Sequence, residues 1–163
     1  MEKIWVITPT YNEAQNLPVL AEKIFTLGIE NLKLIVVDDN SPDGTGAVAF
    51  ELAKKYPITI IRRPGKAGLG TAYTAAFKLA LDGAEKPDFI IQMDADLSHD
   101  PASIPALLNK ARSCDLVLGS RYIRGGATKN WGFLRKLISR FGNRYARTIL
   151  ALPYRDLTGG FKC

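Results

Sequence analysis

Asp94 and Asp96 stand one residue apart, directly after the apolar run Phe89-Ile90-Ile91. A run that short reads as one buried strand. Residues i and i+2 of a strand point the same way, so two carboxylates at its end can reach one ion or one diphosphate. The open end of a parallel sheet is also where α/β proteins hold ligands. Hard oxygen donors with no His/Cys cluster beside them suit Mg²⁺ or Mn²⁺ rather than zinc. The competing reading is a polar turn in which Asp96 or Asp100 caps the next helix.

Three more polar clusters fall at strand ends: Thr8-Pro9-Thr10-Tyr11-Asn12-Glu13, Asp38-Asp39 and Gly119-Ser120-Arg121. In a parallel sheet all four project from one edge. The loop Gly65-Lys66-Ala67-Gly68-Leu69-Gly70 adds a cation and backbone N–H groups next to a helix start, which suits a phosphate. It is not a P-loop, and no Gly-x-Gly-x-x-Gly follows the first strand. Residue chemistry alone points to a nucleotide diphosphate bound through a metal, with Tyr11 stacking and Asp39 accepting from a base or ribose. Plainer roles compete. Glu13 can simply favour the first turn of its helix, and Lys66 can be a solvated loop residue. His99, the only histidine, reads as a helix-start side chain or a hydrogen-bond partner of the Asp loop before it reads as a general base.

The elements that must position these groups alternate. Strands are expected over 3–8, 32–37, 58–61, 88–93 and 115–119. Helices are expected after Asn12 (with Gln15 completing a capping box), over 45–55 and 71–81, and from Asp100-Pro101 onward. Leu17, Leu20, Ile24 and Leu27 give the first helix its apolar stripe. Five alternations with short connections predict a parallel or mostly parallel sheet sandwiched by helices. Beyond Ser120 the alternation stops, and 131–150 reads as a longer helix. Its stripe is Leu134, Leu137, Ile138, Phe141, Tyr145 and Ile149. Lys136, Arg140, Asn143, Arg144 and Arg147 fall on the other side. Trp131, Phe133 and Phe141 serve equally as core or as lipid contacts.

With 163 residues, 47% hydrophobic and 23% charged, the chain suits one soluble domain with a sizeable core. No apolar run approaches a membrane span, and the N-terminus lacks a signal-peptide layout. Cys114 and Cys163 make no metal or redox spacing; Cys114 is expected in the core, reduced, as in the cytoplasm. The net charge of +6 is local: 121–147 holds eight Lys/Arg and no Asp/Glu. That face calls for an anionic partner, and no nucleic acid is expected.

Pro9-Thr10-Tyr11-Asn12-Glu13, Val37-Asp38-Asp39-Asn40-Ser41-Pro42-Asp43-Gly44, Gly68-Leu69-Gly70-Thr71-Ala72, Met93-Asp94-Ala95-Asp96-Leu97-Ser98-His99, Gly119-Ser120-Arg121-Tyr122 and Asp156-Leu157-Thr158-Gly159-Gly160-Phe161-Lys162 follow one another along essentially the whole chain. Their order resembles that in dolichyl-phosphate mannose synthases, inverting family 2 glycosyltransferases of the GT-A fold. The resemblance implies that Pro9, Tyr11, Glu13, Val37 and Asp39 hold the nucleoside. It implies that Asp94, Ala95 and Asp96 hold the diphosphate and its metal, and that Arg121 contacts a donor or acceptor phosphate. Arg124, Arg140, Arg144, Arg147 and Lys162 fall on the acceptor and membrane side. Ser98 stands where some members carry Gln, and Lys162 where many carry Arg, which loses a bidentate grip. Members normally continue past this point, so 1–163 is expected to be one catalytic domain cut short: 1–120 as the nucleotide-sugar half, 121–163 as the start of the acceptor half.

The expected function is transfer of mannose from GDP-mannose to a polyprenyl phosphate, at the cytoplasmic face of a membrane. An acceptor that is already anionic needs no strong general base. Three rivals are a family 2 enzyme using a UDP-sugar, a nucleotidyltransferase, and a non-catalytic nucleotide- or membrane-binding module.

Overall fold

A computed structural model describes residues 1–120, 133–151, 154, 156 and 159–163. Four parallel strands form one sheet: β1 (Ile4–Thr10), β2 (Leu32–Asp38), β3 (Ile58–Arg62) and β4 (Phe89–Gln92), in the order β3-β2-β1-β4. The helices are α1 (Asn16–Phe25), α2 (Thr45–Ala53), α3 (Leu69–Asp82), α4 (Ile104–Ala111) and α5 (Phe133–Leu150).

Side-chain alternation sorts the strands between two cores. Ile4 and Val6 of β1, with Leu34 and Val36 of β2, pack on Leu17, Leu20 and Ile24 of α1, Ala49 of α2 and Ile104 of α4. Trp5 and Ile7, with Ile35 and Val37, pack on Ala72, Tyr73, Ala76 and Ala80 of α3. Both faces of β1 and β2 are therefore covered, as continuous apolar strands require. The result is the expected α/β/α sandwich. Each fully buried Leu or Ile contributes on the order of 1.5–3 kcal/mol, so the two faces outweigh the weak caps of α1 and α2, neither of which has a side-chain cap bond.

The chain reverses its direction of growth between β1 and β4. From β1 it adds β2 and β3 on one side, then returns to add β4 on the other. The Ile7 carbonyl accepts the Met93 N–H on the β4 side, and the Thr10 carbonyl accepts the Asp39 N–H on the β2 side. Alternation then turns Pro9, which has no N–H, toward β4, beyond the last register pair Ile7↔Gln92. Proline costs no ladder bond there. This is why β1 runs on to Thr10 instead of stopping at Thr8, and why β1 and β4 part at that level.

Three expectations need correction, and one left open is narrowed. Residues 115–119 do not form a full strand beside β4. The segment 161–163 lies between them: Lys162 bridges antiparallel to Gln92 on one side and to Leu118 on the other. Two antiparallel steps leave 117–119 running in the direction of β4, so Gly119 and Ser120 still emerge at the site edge. Asn12 does not cap α1. It adopts φ 62°, which Asn tolerates, and the helix begins at Asn16. The N–H groups of Asn12, Glu13 and Ala14 are instead held by Ser41 Oγ, Thr45 Oγ1 and Asp43 Oδ2. Cys114 is exposed, because its N–H closes a surface turn on Ala111 just past α4. In α5, Asn143 is buried while Phe141, Tyr145 and Ile149 are 72%, 64% and 65% exposed. These three members of the apolar stripe therefore face away from the described residues.

Asp100 does cap its helical turn, accepting the Ala102 N–H at 3.1 Å with Pro101 at the first position.

Candidate active site

Beyond β4 the burial alternates: Met93 and Ala95 are buried, Asp94 is half-buried and Asp96 exposed. Met93 and Ala95 thus enter the core that holds α1 and α4, and neither carboxylate does. Leu97, at φ 60°, then turns the chain. Asp96 Oδ1 accepts the Ser98 N–H at 3.0 Å.

Asp94 is framed on several sides. Its backbone N–H donates to His99 Nδ1 at 3.1 Å. His99 Nε2 lies 3.8 Å from Asp94 Oδ2, and its ring stacks on Phe161 with centroids 5.2 Å apart. The Tyr73 hydroxyl donates to Asp94 Oδ1 at 3.4 Å. Burial, and then the Asp94 charge, push the Tyr73 phenol far above its ordinary range, so it stays a donor. Gly160 comes against this group: a Cβ there would lie 2.7 Å from Asp94 Oδ2 and 3.1 Å from His99 Cε1. The glycine leaves Asp94 Oδ2 accessible. Two oxygen-donor carboxylates, one exposed and one half-buried, fit a hard cation that keeps further ligands from water or phosphate.

Asp38 and Asp39 divide the work at the end of β2. Asp38 is fully buried. It accepts from Thr10 Oγ1 at 3.4 Å and Ser41 Oγ at 2.5 Å, so it locks the loop to the strand end. Asp39 is 7% exposed and is gripped by Arg63. Nε lies 2.7 Å from Oδ1, and Nη2 donates to Oδ2 at 3.2 Å. The Nε–H is poorly aligned with Oδ1, so that buried oxygen has an ion-pair contact but no hydrogen bond. Arg63 was not among the residues singled out from the sequence. The available signal was topological: β3 neighbours β2, so the residue after β3 lands beside the residue after β2.

Tyr11 and Lys66 meet at the mouth of the site. Lys66 Nζ sits 4.4 Å from the Tyr11 ring centroid, a cation–π contact. Lys66 therefore covers the ring expected to stack on a base. Glu13 Oε2 accepts from Asn16 Nδ2, and its carbonyl accepts the N–H groups of Asn16 and Leu17, which makes it a local anchor of the loop. Pro9 is half-buried at the strand end. Val37 and Ala95 are buried in the two cores, so only their main chain can meet a ligand.

Lys162 lines a groove of about 500 Å³ with Phe77, Asp88, Phe89 and both cysteines; Asp94 does not line it. Arg144 and Arg147 are exposed on α5. Arg121 and Arg124 lie outside the described residues, as does the side chain of Arg140. Among the described residues no group of three or more His, Cys, Asp or Glu gathers as a metal cluster; the carboxylate pair stands without one.

Residues 5–162 match the model of glycosyl transferase family 2. The chain belongs to that family. It is 40% identical to the polyprenol monophosphomannose synthase of Mycolicibacterium smegmatis, over 99% of this chain and 61% of that one. It is 40% identical to the undecaprenyl-phosphate mannosyltransferase of Micrococcus luteus, over 98% and 65%. With the dolichol-phosphate mannosyltransferase of Pyrococcus furiosus it shares 42% identity, over 98% and 45%. This family 2 chain thus spans about half to two thirds of the length of these relatives. Among solved structures, a mannosyltransferase from Pyrobaculum calidifontis in complex with GDP-Man and Mn²⁺ matches 58% of this chain and 28% of that one at TM-score 0.51 and 26% identity. The glucosyl-3-phosphoglycerate synthase of Mycobacterium tuberculosis matches 99% of this chain and 56% of that one at TM-score 0.68 and 21% identity. The fold is the GT-A arrangement expected from the sequence.

Proposed function

We propose that this family 2 chain forms the donor-binding half of an enzyme that moves mannose from GDP-mannose to a polyprenyl phosphate with inversion. One observation carries the reading: the strand order β3-β2-β1-β4 sets the end of β2, with Asp39, and the end of β4, with Asp94 and Asp96, on either side of the end of β1, where the order reverses. Crevices at such a reversal of strand order are where open α/β sheets hold nucleotides. The mannosyltransferase names of the 40–42% identical relatives support the sugar and the lipid phosphate.

Asp94 and Asp96 would hold Mg²⁺ or Mn²⁺, which when bound supplies positive charge against the diphosphate. The chain's own part is to fix those carboxylates. His99, Tyr73 and the close approach of Gly160 hold Asp94 in one orientation. Asp39 would accept from the nucleoside, and Lys66, which lies over the Tyr11 ring, would turn its cation to the diphosphate. In the reaction, a phosphate oxygen of the acceptor bonds to the anomeric carbon as the bond to the nucleoside diphosphate breaks. The bonding pair leaves on the diphosphate. The acceptor oxygen arrives deprotonated, so no side chain has to take a proton.

The acceptor would approach from a membrane. No described helix is long and apolar enough to cross one. Exposed Phe141, Tyr145 and Ile149 share α5 with exposed Arg144 and Arg147, which suits an interfacial helix on the cytoplasmic face. The test is transfer of radiolabelled mannose from GDP-mannose into a solvent-extractable polyprenyl phosphate, with UDP-glucose as competing donor. Preferential transfer from UDP-glucose would replace the donor in this reading, and label released only as free sugar would remove the lipid acceptor.

A further inference from the structure

Arg63 has no place in the reading above, yet it makes the tightest contact with Asp39. Its guanidinium takes Oδ2 through Nη2 at 3.2 Å and lies 2.7 Å from Oδ1 through Nε. Both side chains are about nine-tenths buried, at 10% and 9% exposure. Its third nitrogen, Nη1, donates to Thr71 Oγ1 at 2.9 Å, and Thr71 Oγ1 in turn reaches the Gly68 carbonyl at 2.8 Å. The arginine is therefore fixed at both ends, by β2 and by the first turn of α3. Its own N–H holds it in register through the Asp38 carbonyl at 2.9 Å.

This grip has a chemical consequence. An ionised carboxylate only accepts hydrogen bonds. Arg63 fixes the plane of the Asp39 carboxylate: it covers the buried Oδ1 and takes only one lone pair of Oδ2, so Oδ2 is the oxygen left to accept from a ligand. A rigid acceptor in a buried site favours a partner that brings an N–H and penalises one that brings a lone pair. Guanine presents N–H groups at N1 and N2. Adenine presents a lone pair at N1.

We propose that Arg63 is a positioning residue that sets nucleobase selectivity, holding Asp39 so that its carboxylate accepts a lactam N–H of the guanine type and rejects adenine. This rests on the proposed reading of the strand-end crevice as the nucleotide site. Arg63 acts through Asp39 and does not touch the reacting atoms.

The experiment is calorimetric titration of GDP and of ADP, each with Mn²⁺, into the wild type, Arg63→Gln, Arg63→Lys and Asp39→Asn, with a thermal melt of each. The two purines share ring size, so their affinity ratio isolates the hydrogen-bonding edge. Sites built to bond one edge discriminate strongly, and the wild type should prefer GDP by about tenfold or more. Arg63→Gln and Asp39→Asn should bring that ratio to within about threefold. Arg63→Lys keeps the charge but loses the fork, and should also lower it. A purely structural arginine would weaken both nucleotides together and leave the ratio intact; that result overturns the proposal. So does a ratio lowered in Asp39→Asn but unchanged in both Arg63 variants, although the crevice would remain the nucleotide site. No Mn²⁺-dependent binding of either nucleotide to the wild type overturns both.

Discussion

His99 Nδ1 accepts the backbone N–H of Asp94 at 3.1 Å. The lone pair that could take a proton at Nδ1 is therefore already used, and the neutral ring must carry its proton at Nε2. In this geometry the ring orients Asp94 and does not act as a general base. Replacing His99 with Ala should free the turn at Asp94 and weaken Mn²⁺-dependent GDP binding about tenfold, the value of one hydrogen bond of roughly 1.4 kcal/mol. Nitrogen-15 shifts of the ring in the wild type should report a proton on Nε2. Unchanged GDP affinity in the alanine variant would remove the orienting role.

Asp94→Asn and Asp96→Asn should each abolish Mn²⁺-dependent GDP binding. Asp94 is half-buried and Asp96 exposed, so both variants should melt within a few degrees of the wild type. Calorimetry with and without Mn²⁺ decides it. Equal affinity in wild type and both variants would sink the metal role.

The readable part of the chain is the part governed by local pattern. The unbroken apolar run of β2 gave away its two covered faces. Asp100-Pro101 gave away its helix start. Long-range geometry was not legible. Arg63 meets Asp39 across 24 positions, and 161–163 enters the sheet between β4 and a segment more than 40 residues earlier. Asn12 looked like a cap because cap residues also favour the left-handed turn it takes. The stripe of α5 read correctly as amphipathic, but periodicity alone does not say which side meets the protein.

Asp38 and Asp39 should separate experimentally. Asp38 is fully buried and serves Thr10 and Ser41. Asp38→Ala removes the acceptor of the half-buried Ser41 hydroxyl and leaves the buried Thr10 hydroxyl only the Val37 carbonyl, at a cost of about 1–3 kcal/mol. A chain of this size should lose roughly 2–4 °C of melting temperature for each kcal/mol. Asp39→Asn should instead lower nucleotide affinity as well as the melting temperature, because it also leaves the nine-tenths buried Arg63 guanidinium without its partner charge. A wild-type melting temperature in Asp38→Ala would contradict this division.

Asp43 ties the 41–45 loop to the Tyr11 loop, accepting from Thr45 N and Oγ1 and from Ala14 N. The bond from Thr45 Oγ1, then that from Ala14 N–H, holds its carboxyl below the ordinary aspartate value of 3.8. A depressed folded-state value gives stability that is present above the unfolded value and lost as pH falls through the folded one. The contribution should therefore be whole above about pH 5 and disappear as acid passes below about pH 4. Melting curves of wild type and Asp43→Asn between pH 3 and pH 6 should converge at the acid end. A constant difference across that range would show that Asp43 contributes nothing through its charge.

The exposed face of α5 bears on the acceptor. Phe141, Tyr145 and Ile149 stand open on a helix that also exposes Arg144 and Arg147. Each cation at an anionic surface is worth on the order of 1 kcal/mol, and charge reversal turns attraction into repulsion. Arg144→Glu with Arg147→Glu should therefore lower binding to anionic vesicles by more than about tenfold. Phe141→Ser should weaken binding at low and high salt alike, because apolar burial is not screened. Co-sedimentation with anionic and neutral vesicles at two salt concentrations reads both effects. Equal partitioning onto both vesicle types, untouched by the reversals, would assign this face to a contact with protein and leave the lipid phosphate to reach Asp94 and Asp96 by another route.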